Sequence, residues 1–247
     1  MKGAPFKSLS LSTLAIGVAA SSIAFANPAQ AFNVSISPNA CPFSTCSTEN
    51  TGASALLDFS FTQHGNDVLL NLGITNTTNG TVGLGANQAT LVGIAFDLAN
   101  GVSTSASGYT VGASSFAKFW SNISLNPFGT FDVGISPPRN SFAGGNPTTG
   151  LTAGQTTLVS FLLRGNNLNA AAVESSFLSG FTDGSLRVAG RFQQVNAGGG
   201  SDKVLGGVVP SGETPSAGVP EPTTMLGAAV AGTFLLGRKK LQRQKAD

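Results

Sequence analysis

Hydrolytic chemistry needs a base held against a nucleophile, and His64 is the chain's one histidine. It stands in "QHGND", a string of turn formers that presents it to solvent. The HExxH, G-x-S-x-G and Walker patterns are absent from the sequence. No residue is therefore assigned a catalytic role, and no cofactor is expected. Glycosidases need only two carboxylates. Asp58, Asp97 and Asp132 each fall on the out-facing phase of an alternating stretch. Brought together they could form a pocket or a calcium site; apart, they are solvated strand residues that discourage edge pairing. Sugar stacking would call on Trp120 or Tyr109, the single residue of each type. "FAKFWSN" (116–122) either exposes Trp120 beside Lys118, or packs Phe116, Phe119 and Trp120 into one end of the fold. Asn33, Asn76, Asn79 and Asn122 open N-x-S/T strings, which a surface rich in Ser, Thr and Asn also yields by chance.

Cys41 and Cys46 enclose "CPFSTC". Two thiols and a distant histidine are too few for a metal site, so no metal is expected. That leaves two free thiols, or one disulfide whose short loop removes little chain entropy and stabilises modestly.

The elements that would position these residues follow from hydrophobic period. Alternation aligns Leu57, Phe59 and Phe61; then Val68, Leu70, Leu72 and Ile74; then Ile94, Phe96 and Leu98. It continues through Phe131, Val133 and Ile135, then Val159, Phe161 and Leu163. Leu186, Val188 and Phe192 oppose Arg187 and Arg191 in the same way. Half-buried antiparallel strands have this period. Turn formers separate them at 64–67, 76–81, 98–101 and 181–184. Only 167–180 reads as a helix, with Asn169 as N-cap before an Ala run. Residues 137–155 read as a long Pro/Gly/Asn loop. The expected fold is all-β, an antiparallel β-sandwich with one short helix, its core filled from the chain's 17 phenylalanines.

Charge separates this body from the two ends. The whole chain of 247 residues carries a formal +2, yet residues 32–219 hold six basic against nine acidic side chains, a net of −3. Such a body has little with which to neutralise phosphates, so nucleic acid is not an expected partner. At the N-terminus, Lys2 and Lys7 precede an apolar, Ser-rich stretch at 9–26 and the small-x-small string "AQA". This is a secretory signal peptide, 1–31, cleaved between Ala31 and Phe32; the alternative is an uncleaved anchor. The expected body is 32–207, followed by a flexible linker, 208–219.

The C-terminal segment, 220–247, holds the uncharged run 223–237 and then "RKKLQRQK". As a helix of this length it reaches about 22 Å, against about 30 Å of bilayer hydrocarbon. Spanning requires local thinning, or snorkelling by Arg238, Lys239 and Lys240. The basic cluster predicts a cytoplasmic C-terminus, with the body outside. Pro220 and Pro222 favour an extended, protease-accessible strip just before the helix.

Pro220-Glu221-Pro222, a short apolar helix and a basic cluster, in that order, resemble the PEP-CTERM sorting signal. The resemblance covers 219–245. It implies recognition by exosortase at Pro220, Glu221 and Pro222, a membrane stop at Arg238, Lys239 and Lys240, processing of the tail near the Pro-Glu-Pro motif and delivery of the body to the cell surface or extracellular matrix. The strings at 93–101, 131–136 and 187–207 are similar to the cyanobacterial cistern-type subgroup of these proteins, which brings no activity with it. The expected function is thus that of an exported, non-enzymatic surface or matrix protein. It would be anchored transiently in the inner membrane, with signal peptidase and exosortase as processing partners and extracellular polysaccharide as a surrounding partner. A carbohydrate- or calcium-binding module on a β-sandwich is the alternative.

Overall fold

The computed structural model describes residues 30–142 and 147–210. Its strands are β1 (Gln30–Ile36), β2 (Ala55–His64), β3 (Asp67–Asn76), β4 (Thr90–Phe96), β5 (Tyr109–Thr110) and β6 (Lys118–Ser124). They continue with β7 (Thr130–Ser136), β8 (Leu151–Thr152), β9 (Thr156–Leu163), β10 (Val188–Gln193) and β11 (Ser201–Val208). One α-helix, α1 (Ala170–Asp183), precedes β10. The protein is mostly β and antiparallel, as the alternation requires.

Two separate sheets are not what forms. The strands make one hydrogen-bonded sheet in the order β5-β9-β3-β2-β1-β11-β10-β4-β7-β6, with β8 added to β4. Antiparallel pairing of β1 with β11 joins the two halves, and the sheet curls until it is nearly closed into a barrel. At the remaining seam the Tyr109 ring lies 5.8 Å from that of Phe119, and its hydroxyl donates to the Phe116 carbonyl. Closure hides edges that two flat sheets would leave open. The loop expected at 137–155 also contributes β8, whose Leu151 and Thr152 pair with Leu91 and Thr90.

The inward residues of the strands form the core. Leu57, Phe59, Phe61, Val68, Leu70, Leu72, Ile74, Val159, Phe161 and Leu163 are all buried, as their period predicts. Phe96 of one half meets Phe161 of the other edge-on at 5.4 Å, an arrangement aromatic quadrupoles favour. In α1 the spacing of Ala170, Val173, Phe177 and Phe181 puts them on one buried stripe. Phe181 lies 5.4 Å from Phe59 and Phe177 5.4 Å from Phe61. The helix starts where Asn169 accepts from the Ala172 amide at 3.1 Å, and ends at left-handed Gly184.

Two details depart from simple alternation. Phe131 joins a second cluster with Ile123, apart from Val133 and Ile135, where the β6–β7 ladder is interrupted at Asn122 (φ 49°). β11 runs through Val208, and the Val209 amide donates to the Asn33 carbonyl at 3.0 Å. Val208 and Val209, the first residues of the expected linker, thus lie against β1.

Candidate functional site

The three singled-out aspartates do not meet. Asp58 sits on β2 between Asn33 of β1 and Gly73 of β3. Asp97 follows β4 and accepts from the Arg187 amide at 2.9 Å and its Nε at 3.0 Å. Burial raises the Asp97 carboxyl above its usual range, in opposition to Arg187, and nearby Asp132 raises it further. Asp132 itself accepts from the Leu98 amide at 2.8 Å. Arg187 also donates to the Phe128 and Thr130 carbonyls, at 2.6 and 2.7 Å. Asp97, Asp132 and Arg187 thus form a structural clamp. No group of metal-ligating side chains assembles among the described residues. His64 is exposed at the end of β2, beside the turn at Gly65.

The face turned away from the core by β6, β7, β4, β10 and β11 is the most differentiated surface. Register places Trp120, Gly134, Ala95, Ala189 and Leu205 side by side in one apolar row. At one flank of this row stands the Asp97–Asp132–Arg187 clamp. Two residues along each strand in the other direction come Lys118 paired with Ser136, and Gly93 paired with Arg191, which in turn pairs with Lys203. The face thus carries carboxylates at one end and cations at the other.

Two straps cover the apolar row. In the first, Cys41 and Cys46 are disulfide-bonded, and Cys41 and Phe43 pack on the cluster that contains Ala189 and Leu205. The second, Pro137 to Phe142, drops the Phe142 ring onto the bare backbones of Gly93 and Gly134, where an added Cβ would approach it to 2.9 and 3.0 Å. Trp120 is tied to this strap: its Nε1 donates to Ser136 Oγ at 2.9 Å, and that hydroxyl donates to the Pro137 carbonyl at 2.9 Å. The Lys118 ammonium lies 5.0 Å from the Trp120 ring centroid. Phe116 is fully buried in the main core, so "FAKFWSN" splits between interior and outer face.

Sequence reasoning missed the polar centre at one end of the barrel. Asp202, 1% exposed, accepts from the Ser47 hydroxyl at 2.7 Å, from the Thr48 amide and hydroxyl, and from the Glu49 amide. It also takes the Thr51 amide at 3.0 Å and hydroxyl at 2.8 Å. Its partners lie more than 150 positions earlier, and no local pattern announces them. Asn76, one of the N-x-S/T asparagines, is likewise buried, with its amide donating to the Ala89 and Leu151 carbonyls. Nearby, a cleft of about 530 Å³ is lined by Gln88, Thr90, Thr152 and Gln194. These amides and hydroxyls can hydrogen-bond but have no acid–base chemistry near neutral pH.

Ala31 and Phe32, which flank the expected signal-peptide cleavage point, lie in β1. Phe32 stacks on Phe59 at 5.2 Å. Pro220, Glu221, Pro222, Arg238, Lys239 and Lys240 lie outside the described residues. Among the described residues, no helix is long and apolar enough to cross a membrane. No family model, curated protein or solved structure matches this chain.

Proposed function

We propose that this is an exported, non-enzymatic surface or matrix protein, sorted through a PEP-CTERM tail that exosortase recognises at Pro220–Pro222. The observation that carries this reading is the motif order at the C-terminus: Pro220-Glu221-Pro222, then the uncharged run 223–237, then a basic cluster. The Val209 amide donates to the Asn33 carbonyl at 3.0 Å, so the two ends of the described body lie side by side. In the body, Asp97, Asp132 and Asp202 are engaged in hydrogen bonds that hold the fold together.

A carbohydrate-binding role for the body is the second reading, supported by the uncharged, hydrogen-bonding lining of the Gln88–Gln194 cleft. Calcium has less support, because Asp58 stands apart from Asp97 and Asp132.

Intact mass in the native host tests the sorting reading, measured in membrane and extracellular fractions with and without exosortase. Loss of residues beyond about Glu221 only when the enzyme is present is the expected result. A full-length tail retained in the membrane fraction of both strains overturns it.

A further inference from the structure

We propose that Asn100 is a modification site: in water it loses its side-chain amide spontaneously to give aspartate and isoaspartate, while the fold protects the chain's other Asn-Gly pair. The inference goes beyond the sorting reading and does not depend on it.

The chemistry needs an Asn or Asp whose side-chain carbonyl carbon can be reached by the backbone nitrogen of the next residue. Glycine presents that nitrogen with no side chain to shield it. The sequence holds three such pairs, Asn79-Gly80, Asn100-Gly101 and Asp183-Gly184. In all three the glycine has a positive φ, at 82°, 76° and 81°. Neither the dipeptide nor the glycine conformation separates them. Their hydrogen bonds do.

At the first pair the Asn79 oxygen accepts from the Thr81 amide at 3.1 Å and its hydroxyl at 2.6 Å. The Gly80 amide donates to the Ala86 carbonyl at 2.9 Å. At the third, Asp183 accepts from the Ser185 amide at 2.8 Å, and the Gly184 amide donates to the Gly180 carbonyl at 3.0 Å. In both pairs the attacking nitrogen and the group it must reach are held elsewhere, so those bonds must open first.

Asn100 is exposed and lies in a turn closed by the Val102 amide, which donates to the Ala99 carbonyl at 3.1 Å. That closing bond leaves the amide of the turn's third residue, Gly101, unused. Among the described residues the Gly101 amide donates to no acceptor, and the Asn100 side chain has no partner. A Cβ placed on Gly101 would meet nothing within 4 Å, so the pair has room to rotate into the geometry of attack.

The Gly101 nitrogen gives its proton to solvent and bonds to Asn100 Cγ. The Cγ–Nδ2 bond breaks, and the nitrogen takes up a proton and leaves as ammonia. Water then opens the cyclic imide. Addition at Cγ gives aspartate, and addition at the backbone carbonyl gives isoaspartate, with one more carbon in the main chain. Water is the only co-reactant. The product puts a carboxylate beside the cleft that Asn100 shares with Ser175, Ser176 and Ser179 of α1. Its isoaspartyl form lengthens the chain just before Ser103 pairs with Arg164.

The test is incubation of the purified full chain at mildly alkaline pH, in native buffer and in guanidinium chloride. Peptide mapping by mass spectrometry and enzymatic methyl labelling of isoaspartate give the rate at each site. In native buffer Asn100 should react about tenfold or more faster than Asn79, because each hydrogen bond that must open first slows attack. In denaturant the two rates should converge. Oxygen from isotopically labelled water should enter the new carboxylate. Asn100→Gln should remove the product at that position with unchanged far-ultraviolet circular dichroism. Equal or faster reaction at Asn79 in native buffer overturns the proposal. So does an unreacted Asn100 over a period in which both sites react in denaturant, or a rate difference that persists there unchanged. These outcomes leave the sorting of the tail in the host to be decided separately.

Discussion

The carboxylate of Asp202 accepts both the amide (3.0 Å) and the hydroxyl (2.8 Å) of Thr51, a residue 151 positions earlier in the chain. Both residues are buried, and the same carboxylate also collects donors from Ser47, Thr48 and Glu49. It therefore fastens the segment entering β2 to the start of β11.

Asp202→Ala should be among the most damaging substitutions in the body. It leaves several buried donors unmatched, and hydrogen bonds to a charged group contribute roughly 1.5–3 kcal/mol each. A loss of about 3 kcal/mol or more in urea denaturation is expected, with Asp202→Asn intermediate because it keeps one acceptor oxygen. A loss under about 0.5 kcal/mol, typical of a surface substitution, would show that the network contributes little.

Tyr109 should make the protein sensitive to alkali. Burial raises its phenol above the ordinary value of 10.0, so the folded state keeps this proton at a pH where the unfolded chain has lost it. Its contribution is complete below pH 10.0 and falls as pH rises further. Tyr109→Phe should remove that part of the alkaline decline. As Tyr109 is the only tyrosine, phenolate absorbance reports its ionisation directly, and titration at the ordinary pKa in the folded protein would contradict the burial.

The strap and the glycines beneath it should behave as one unit. Gly93→Ala brings a Cβ to 2.9 Å from the Phe142 ring, and displacing that ring should cost about 1–3 kcal/mol. Phe142→Ala should cost about 3 kcal/mol through the cavity it leaves. The double variant should cost no more than Phe142→Ala alone, since the clash disappears with the ring. Additive losses in thermal or urea unfolding would show that the two are independent.

Replacing both Cys41 and Cys46 by Ser should lower stability by about 2 kcal/mol, the entropy of closing so short a loop. Denaturation with and without reductant measures the same quantity. A much larger loss would mean that the packing of Phe43 on the outer cluster depends on the bridge.

Much of this architecture was legible in the chain itself. Alternation identified the inward sides of β2, β3 and β9 residue by residue, because one buried face imposes a period of two. Asn169 and the Ala run marked α1, because a cap and its helix are local. It was long-range pairing that escaped. β1 and β11, which together join the halves of the sheet, were not among the strands expected. In β1 the alternation of Phe32, Val34 and Ile36 with Asn33 and Ser35 is short, and in β11 Gly206 and Gly207 break the period.

The sequence by itself determined the composition of each face, the separation of a weakly acidic body from basic ends, and the motif order at the C-terminus. It put Asp97 and Asp132 outward and set Arg187 and Arg191 opposite the core, since neighbouring residues in a strand point to opposite faces. Only the tertiary structure decided which outward residues share a row. Register between strands distant in the chain brings Arg191 to Lys203 and Arg187 to Asp97, and keeps Asp58 away from both other aspartates. The physical reason is that a strand's period fixes direction but not alignment. Alignment is set by closing the whole sheet around one core.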